Sequence, residues 1–310
     1  MTKPHLLACI TMLFFMLPMA LSAQTETGGL NKHLRELVED CQQRYQELAT
    51  QGNDTTGLGT FQALLEEYCQ ALRNPDTQIV AEDGIDPWWP IITLATAYQS
   101  LQISRIDALS RFVRSYYASK DKDSYFPYWA FLEQYYIYNM KRHYLTFALN
   151  TAVEMIQVAE EAGDTTLVTA VGYYYAANAH FQLGDAVEME RCLNRVYEIG
   201  RDRAGHEQNQ VVYYNYASGL VMLANYYASQ GRCQQAFNLV EDVCDGIRER
   251  FTEISTQYIS ALMAKVDILN NCGQYSKTLA LLDSIERLGQ QLPPNFQQFW
   301  EDVSSQLNVA

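Results

Sequence analysis

From residue 91 to its C-terminus the chain places apolar side chains at intervals of three and four, and nowhere sustains the alternation of a strand. A 3.6-residue period gathers such positions on one side of a helix, so the pattern predicts helices that bury one face and wet the other. Read this way, helices cover 91–101, 106–119, 128–140, 144–162, 166–183, 187–200, 210–229, 233–250, 256–271 and 276–288, joined by short polar turns. In 210–229, Tyr213, Tyr216, Ala217, Leu220, Leu223, Ala224 and Tyr227 form one stripe, and Ala236, Phe237, Val240, Val243, Cys244 and Ile247 form another in the next helix. Nearer the N-terminus, similar stripes predict helices over 30–49 and 61–72, closing as a hairpin on the polar turn 51–57. Residues 73–90 hold most of the helix breakers, ending in Asp86-Pro87-Trp88-Trp89-Pro90, and are expected to form an irregular loop. After Pro293-Pro294, Asn295 is placed to cap a last helix, 295–307, with Phe296, Phe299, Trp300, Val303 and Leu307 on one face.

The helices carry a recurring phrase: an apolar helix, a glycine, polar residues, a second apolar helix. Its copies centre on Gly184, Gly231 and Gly273, 47 and 42 residues apart. A period in that range marks a stacked array whose units hide their apolar faces only against their neighbours. Glycine suits each turn because a residue without a Cβ ends a helix readily in the left-handed conformation. In the second copy Ala224, Tyr227, Gly231 and Ala236 match, in order and spacing, the small residue, aromatic, turn glycine and second-helix alanine of the tetratricopeptide repeat, and over residues 91–288 the chain resembles that superfamily. The other copies depart from the motif: His180 and Leu269 replace the aromatic, and Met189 and Thr278 replace the alanine. Ala108 and Ala148 stand at second-helix positions further upstream without turn glycines. The repeats are also longer than the standard one. The resemblance implies an all-α fold, an α-solenoid of antiparallel helix pairs in a right-handed superhelix, with 295–307 as its capping helix.

The first 23 residues differ from all this. Lys3 and His5 precede a nearly unbroken apolar run from Leu6 to Leu21 and a small-residue ending, Leu21-Ser22-Ala23. This reads as a secretory signal peptide cleaved after Ala23, since the run is shorter than a membrane span and contains Pro18. The mature chain is expected in the periplasm or outside the cell, divided into an N-terminal hairpin and loop, 24–90, and the array, 91–310. With 36 acidic against 22 basic residues the chain carries −14, and no Lys/Arg cluster offsets this, so nucleic acid and anionic membranes are not expected partners.

Six cysteines lie beyond the leader. Reflecting the chain about its turns brings Cys41 opposite Cys69 and Cys233 opposite Cys272, and these two bridges are expected in an oxidising compartment, against the alternative of small buried apolar residues. Cys192 and Cys244 find no such partner. Thirteen of the 36 residues from Phe112 to Phe147 are aromatic, more than one core stripe can use. Trp88, Trp89, Tyr128, Trp129 and Tyr135 are therefore candidates for stacking on a ligand, a glycan among them.

The resemblance implies a second surface. The first-helix position that contacts bound peptide in the family falls here on Asn178, Asn225 and Asp267, with Tyr174, Val221 and Met263 one turn earlier. An amide side chain both donates to and accepts from a peptide unit. No His-Glu-x-x-His pair, Gly-x-Ser-x-Gly elbow, phosphate-binding glycine loop or zinc-type Cys/His spacing appears, so neither an enzyme nor a cofactor or metal is expected. The expected function is a non-enzymatic adaptor or assembly protein that binds protein or peptide. The alternatives are an accessory to a bacterial two-component sensor and a glycan-binding protein.

Overall fold

The computed structural model describes residues 40, 89–100, 104, 106–118 and 125–307. The expected hairpin, Cys41, Cys69, Trp88 and nearly all of the loop 73–90 lie outside the described residues, as does any account of the leader. The chain divides into two compact units, one ending at Ala162 and the other running from Gly163 to the C-terminus. The described part of the first unit consists of α1 (Trp89–Ser100), α2 (Ile106–Ala118), α3 (Tyr125–Lys141) and α4 (Leu145–Glu161). The second consists of α5 (Val168–Leu183), α6 (Ala186–Arg203), α7 (Gln210–Ser229), α8 (Cys233–Phe251), α9 (Thr256–Asn271), α10 (Tyr275–Gly289) and α11 (Gln297–Leu307). No strand occurs among the described residues.

The fold is all-α and built of consecutive antiparallel helix pairs. In the second unit α5 packs on α6, α7 on α8 and α9 on α10, while α5, α7 and α9 also pack on one another. The first helices of the pairs thus form one layer, and α6 and α8 each also pack on the first helix of the following pair. This is the α-solenoid arrangement that the period predicts.

Among the boundaries that differ from the sequence reading, two follow from prolines. Helix α3 starts at Tyr125 instead of 128, because Pro127 falls in its first turn, where the missing N–H has no partner to lose. The last helix starts at Gln297; Asn295 is not its cap but sits inside a 3₁₀ turn, Pro294–Phe296, closed by the Phe296 amide on the Pro293 carbonyl at 2.9 Å.

The turn between paired helices has one hydrogen-bond pattern. Gly184, Gly231 and Gly273 have φ of 80°, 75° and 70°. The residue after each, Asp185, Arg232 or Gln274, donates its amide to the carbonyl five residues back, on His180, Tyr227 or Leu269, at 2.8–2.9 Å. That is the Schellman end of a helix. The turn between α3 and α4 repeats the same bonds, with Tyr144 donating to Asn139 at 2.8 Å, but its left-handed residue is His143 at φ 57°. A residue with a Cβ gives up about 1 kcal/mol to stand there. The second-helix positions aligned by these four turns, Ala148, Met189, Ala236 and Thr278, are all buried.

A second recurrence seats the helices against one another. A Cβ added to Gly200 in α6 would lie 2.1–2.3 Å from the Tyr216 ring of α7, one on Gly246 in α8 would lie 1.9 Å from the Tyr213 hydroxyl, and one on Gly289 in α10 would lie 1.9–2.3 Å from the Trp300 ring of α11. The three glycines follow their turn glycines by 15 or 16 residues. Each is a hole into which an aromatic ring fits. Because Gly200 receives Tyr216, α6 continues through it to Arg203 instead of ending there as its sequence suggests.

Polar groups close two of the repeats on themselves. Arg203, at the end of α6, donates to the carbonyls of Asp164 and Thr166 ahead of α5 at 3.0 and 2.9 Å, and Arg250, near the end of α8, donates to the carbonyl of Ala204 ahead of α7 at 2.7 Å. Asp164 itself is fully buried and accepts from the amides and hydroxyls of both Thr166 and Thr169, at 2.6–3.1 Å. Burial alone would raise its pKa, but the bonds from Thr166 and Thr169 outweigh that and hold the carboxyl below its ordinary value. A depressed folded-state pKa contributes stability that is present above the unfolded value, near 4, and is lost as pH falls through the folded one. Asp164→Asn is expected to lower the unfolding free energy by roughly 2 kcal/mol at pH 7 and by less at pH 3, below the unfolded value. Paired urea melts at the two pH values check this.

Candidate functional site

The open side of the first-helix layer in the second unit brings the repeat positions together. Asn178, Asn225 and Asp267 each lie six residues before a turn glycine, on three helices in which each neighbour packs on the next. Tyr174, Val221 and Met263 each lie one helical turn earlier, and all six residues are half-buried. The approach of α5 to α7 is set by Gly219, where an added Cβ would stand 3.2 Å from the Cβ of Tyr174 and 3.1 Å from Val196. Neither Asn178 nor Asn225 spends its amide on a hydrogen bond among the described residues. Tyrosines flanking the face are anchored: the Tyr227 hydroxyl donates to Asn194 at 3.1 Å and that of Tyr226 to Glu190 at 3.1 Å. Arg232 covers the Tyr227 ring at 3.8 Å and reaches Glu190 at 3.5 Å. In register along the three helices stand two amides, Asn178 and Asn225, and one carboxylate, Asp267, with Tyr174, Val221 and Met263 a turn earlier.

The same edge of the second unit is covalently closed. Cys233, first residue of α8, is bonded to Cys272, which caps α9, across 39 residues. The bridge joins the turn of one repeat to the turn of the next. Cys192 and Cys244 are free and buried, and burial pushes both thiols up, that of Cys244 to about 11. Such thiols are inert at neutral pH.

The aromatic candidates sit elsewhere. Tyr128, Trp129 and Tyr135 are only 2%, 2% and 7% exposed, so their rings build the core of the first unit and present no open stacking face. Trp89 opens α1. What holds the rings inside is a polar network that the sequence period does not reveal. Glu154 of α4 takes a two-pronged bond from Arg114 of α2, through Nη2 at 2.8 Å and Nε at 3.1 Å, and also accepts from the Tyr128 hydroxyl. The Tyr135 hydroxyl donates to Asp107 at 3.0 Å, and Arg114 lies 5.3 Å from its ring. Burial first, and the Glu154 bond second, push the Tyr128 phenol far above its ordinary value, so it stays a donor. The density of aromatics suggests rings left over for a ligand, but it carries no sign of which hydroxyls have partners within reach, and Tyr128, Trp129 and Tyr135 are taken up by the core.

Among the described residues no group of His, Cys, Asp and Glu could hold a metal ion, and no helix is long and apolar enough to cross a membrane. No family model matches the chain, and no curated protein does. Among solved structures it is similar to a kinesin light chain-like protein of Podosopora anserina with nearly identical TPR-like repeats, at 14% identity, covering 64% of this chain and 92% of that one with a TM-score of 0.49. A variant of that protein gives the same identity and coverage with a TM-score of 0.48. Neither likeness is close enough to speak for what this chain binds. By its own geometry the second unit is a helix-pair repeat scaffold with a half-buried row of side chains in register along its first helices.

Proposed function

We propose that this chain is a non-enzymatic adaptor or assembly protein that binds an extended protein segment along its first-helix layer, on the outer side of a cytoplasmic membrane. One observation carries the reading: Asn178 and Asn225 stand in the same register on neighbouring helices, half-buried, with amides that make no hydrogen bond among the described residues. Packed helices lie about 8–10 Å apart, which is roughly three residues of extended chain, so successive amides can each meet a peptide unit of one continuous strand. The half-buried apolar neighbours Val221 and Met263 supply contact area between them. The Cys233–Cys272 bridge supports the extracytoplasmic part of the reading, because such bonds persist in oxidising compartments. The leader-like residues 1–23 support it too. A glycan is the weaker reading, since Tyr128, Trp129 and Tyr135 are used in the core.

Capture from envelope extract tests the proposal, comparing wild type with Asn178→Ala/Asn225→Ala. The expected result is a protein retained by the wild type and at least tenfold depleted on the variant, with melting temperature unchanged. Equal retention by both would remove this face from the recognition surface.

A further inference from the structure

In a chain of net charge −14, only one place sets three basic residues side by side: Lys141, Arg142 and His143, at the turn between α3 and α4. All three are exposed. Beside them Tyr144 and Phe147 are 44% and 62% exposed, and their rings meet edge to face at 6.5 Å. Arg142 lies 5.6 Å from the ring of Tyr144 and 5.8 Å from that of Tyr138, so a guanidinium is held over aromatic faces rather than left to wave in water. The Tyr138 hydroxyl beneath it is fully buried and has no hydrogen-bond partner among the described residues. Asp107, whose charge acts on Arg142, accepts the hydroxyl of Tyr135.

His143 adds the second half of the argument. It occupies the left-handed position that Gly184, Gly231 and Gly273 fill in the three other turns of identical hydrogen bonding. A chain that uses glycine three times at this geometry keeps a strained imidazole the fourth time, beside its only basic run. Strain retained at an exposed turn is the mark of a side chain kept for what it touches.

We propose that the turn from Lys141 to Phe147 is a docking surface for an acidic peptide segment of a partner protein, its carboxylates set against Lys141, Arg142 and His143 and a neighbouring apolar side chain against Tyr144 and Phe147. The charge of the rest of the chain does not forbid this. At physiological ionic strength fields decay over about 8 Å, so an acidic segment meets the local cations before the distant carboxylates. The surface belongs to the first unit and does not depend on the amide row of the second.

Fluorescence anisotropy of the full chain with two labelled peptides tests it, one alternating Glu and Phe, the other alternating Gln and Phe. The acidic peptide is expected to bind at least tenfold more tightly than its amide counterpart and to weaken as salt is raised. Lys141→Glu/Arg142→Glu should cost a further tenfold or more, without loss of helix by circular dichroism. His143→Gly separates recognition from folding: the melting temperature should rise by about 2–4 °C while affinity for the acidic peptide falls. Failure of the acidic peptide to bind, equal binding of the two peptides, or charge reversal without effect would each overturn the proposal. So would a His143→Gly protein that is more stable and binds as well as the wild type.

Discussion

Replacing Gly200 by alanine should destabilise the second unit by roughly 2–3 kcal/mol, the cost of forcing volume into a filled core. The sign makes the test sharp. In a helix interior alanine is ordinarily better than glycine by about 0.5–1 kcal/mol, because glycine gives up more backbone freedom on folding. At Gly200 the new methyl would stand 2.1–2.3 Å from the buried ring of Tyr216, where no real Cβ is found, so the ring or the helix must move. Gly205, with nothing within 4 Å of its would-be Cβ, is the control, and Gly205→Ala should leave the melt almost unchanged. Shortening the intruding ring with Tyr216→Leu should recover part of the loss in the double variant. Additive losses would show that the two residues do not share one space.

Reduction of Cys233–Cys272 should have the larger effect. Closing a loop of 39 residues removes unfolded-chain entropy equivalent to about 4 kcal/mol. For a unit of this size that is a melting-temperature drop on the order of 10 °C in dithiothreitol. Cys233→Ser/Cys272→Ser should reproduce the drop and make the melt insensitive to reductant. The loss should concentrate in α9, α10 and α11, seen as faster amide exchange there than in α5 and α6, because the bridge joins one repeat to the next. Uniform exchange along the unit would mean that it melts as one body.

The helix pairs were legible because burying one face of a helix leaves a period that survives changes of residue. The expected spans 210–229 and 256–271 coincide with α7 and α9. The Cys233–Cys272 pair was legible because reflecting a chain about its turns is simple geometry. Two things were not. The turn at 141–143 was expected, but its kinship with the glycine turns was not, because that kinship lies in its hydrogen bonds and not in its residue. The glycines at 200, 246 and 289 carry no meaning in a search for apolar stripes, yet their common spacing from the turn glycines lies in the sequence and matches their role as seats for rings. The amide row was placed by register alone, while the hydroxyls of the buried Tyr128 and Tyr135 are met by Glu154 and Asp107, which no period connects to them.

The bonds of Arg203 and Arg250 have a mechanical consequence. Each ties the end of a repeat to its own beginning, so two repeats of the second unit behave as closed links, while the disulfide shackles one link to the next. Under a pull applied to its two ends the chain would give way link by link, and the 39 residues behind the bridge would stay hidden. At about 3.5 Å for each extended residue that withholds roughly 140 Å of slack until a thiol releases it.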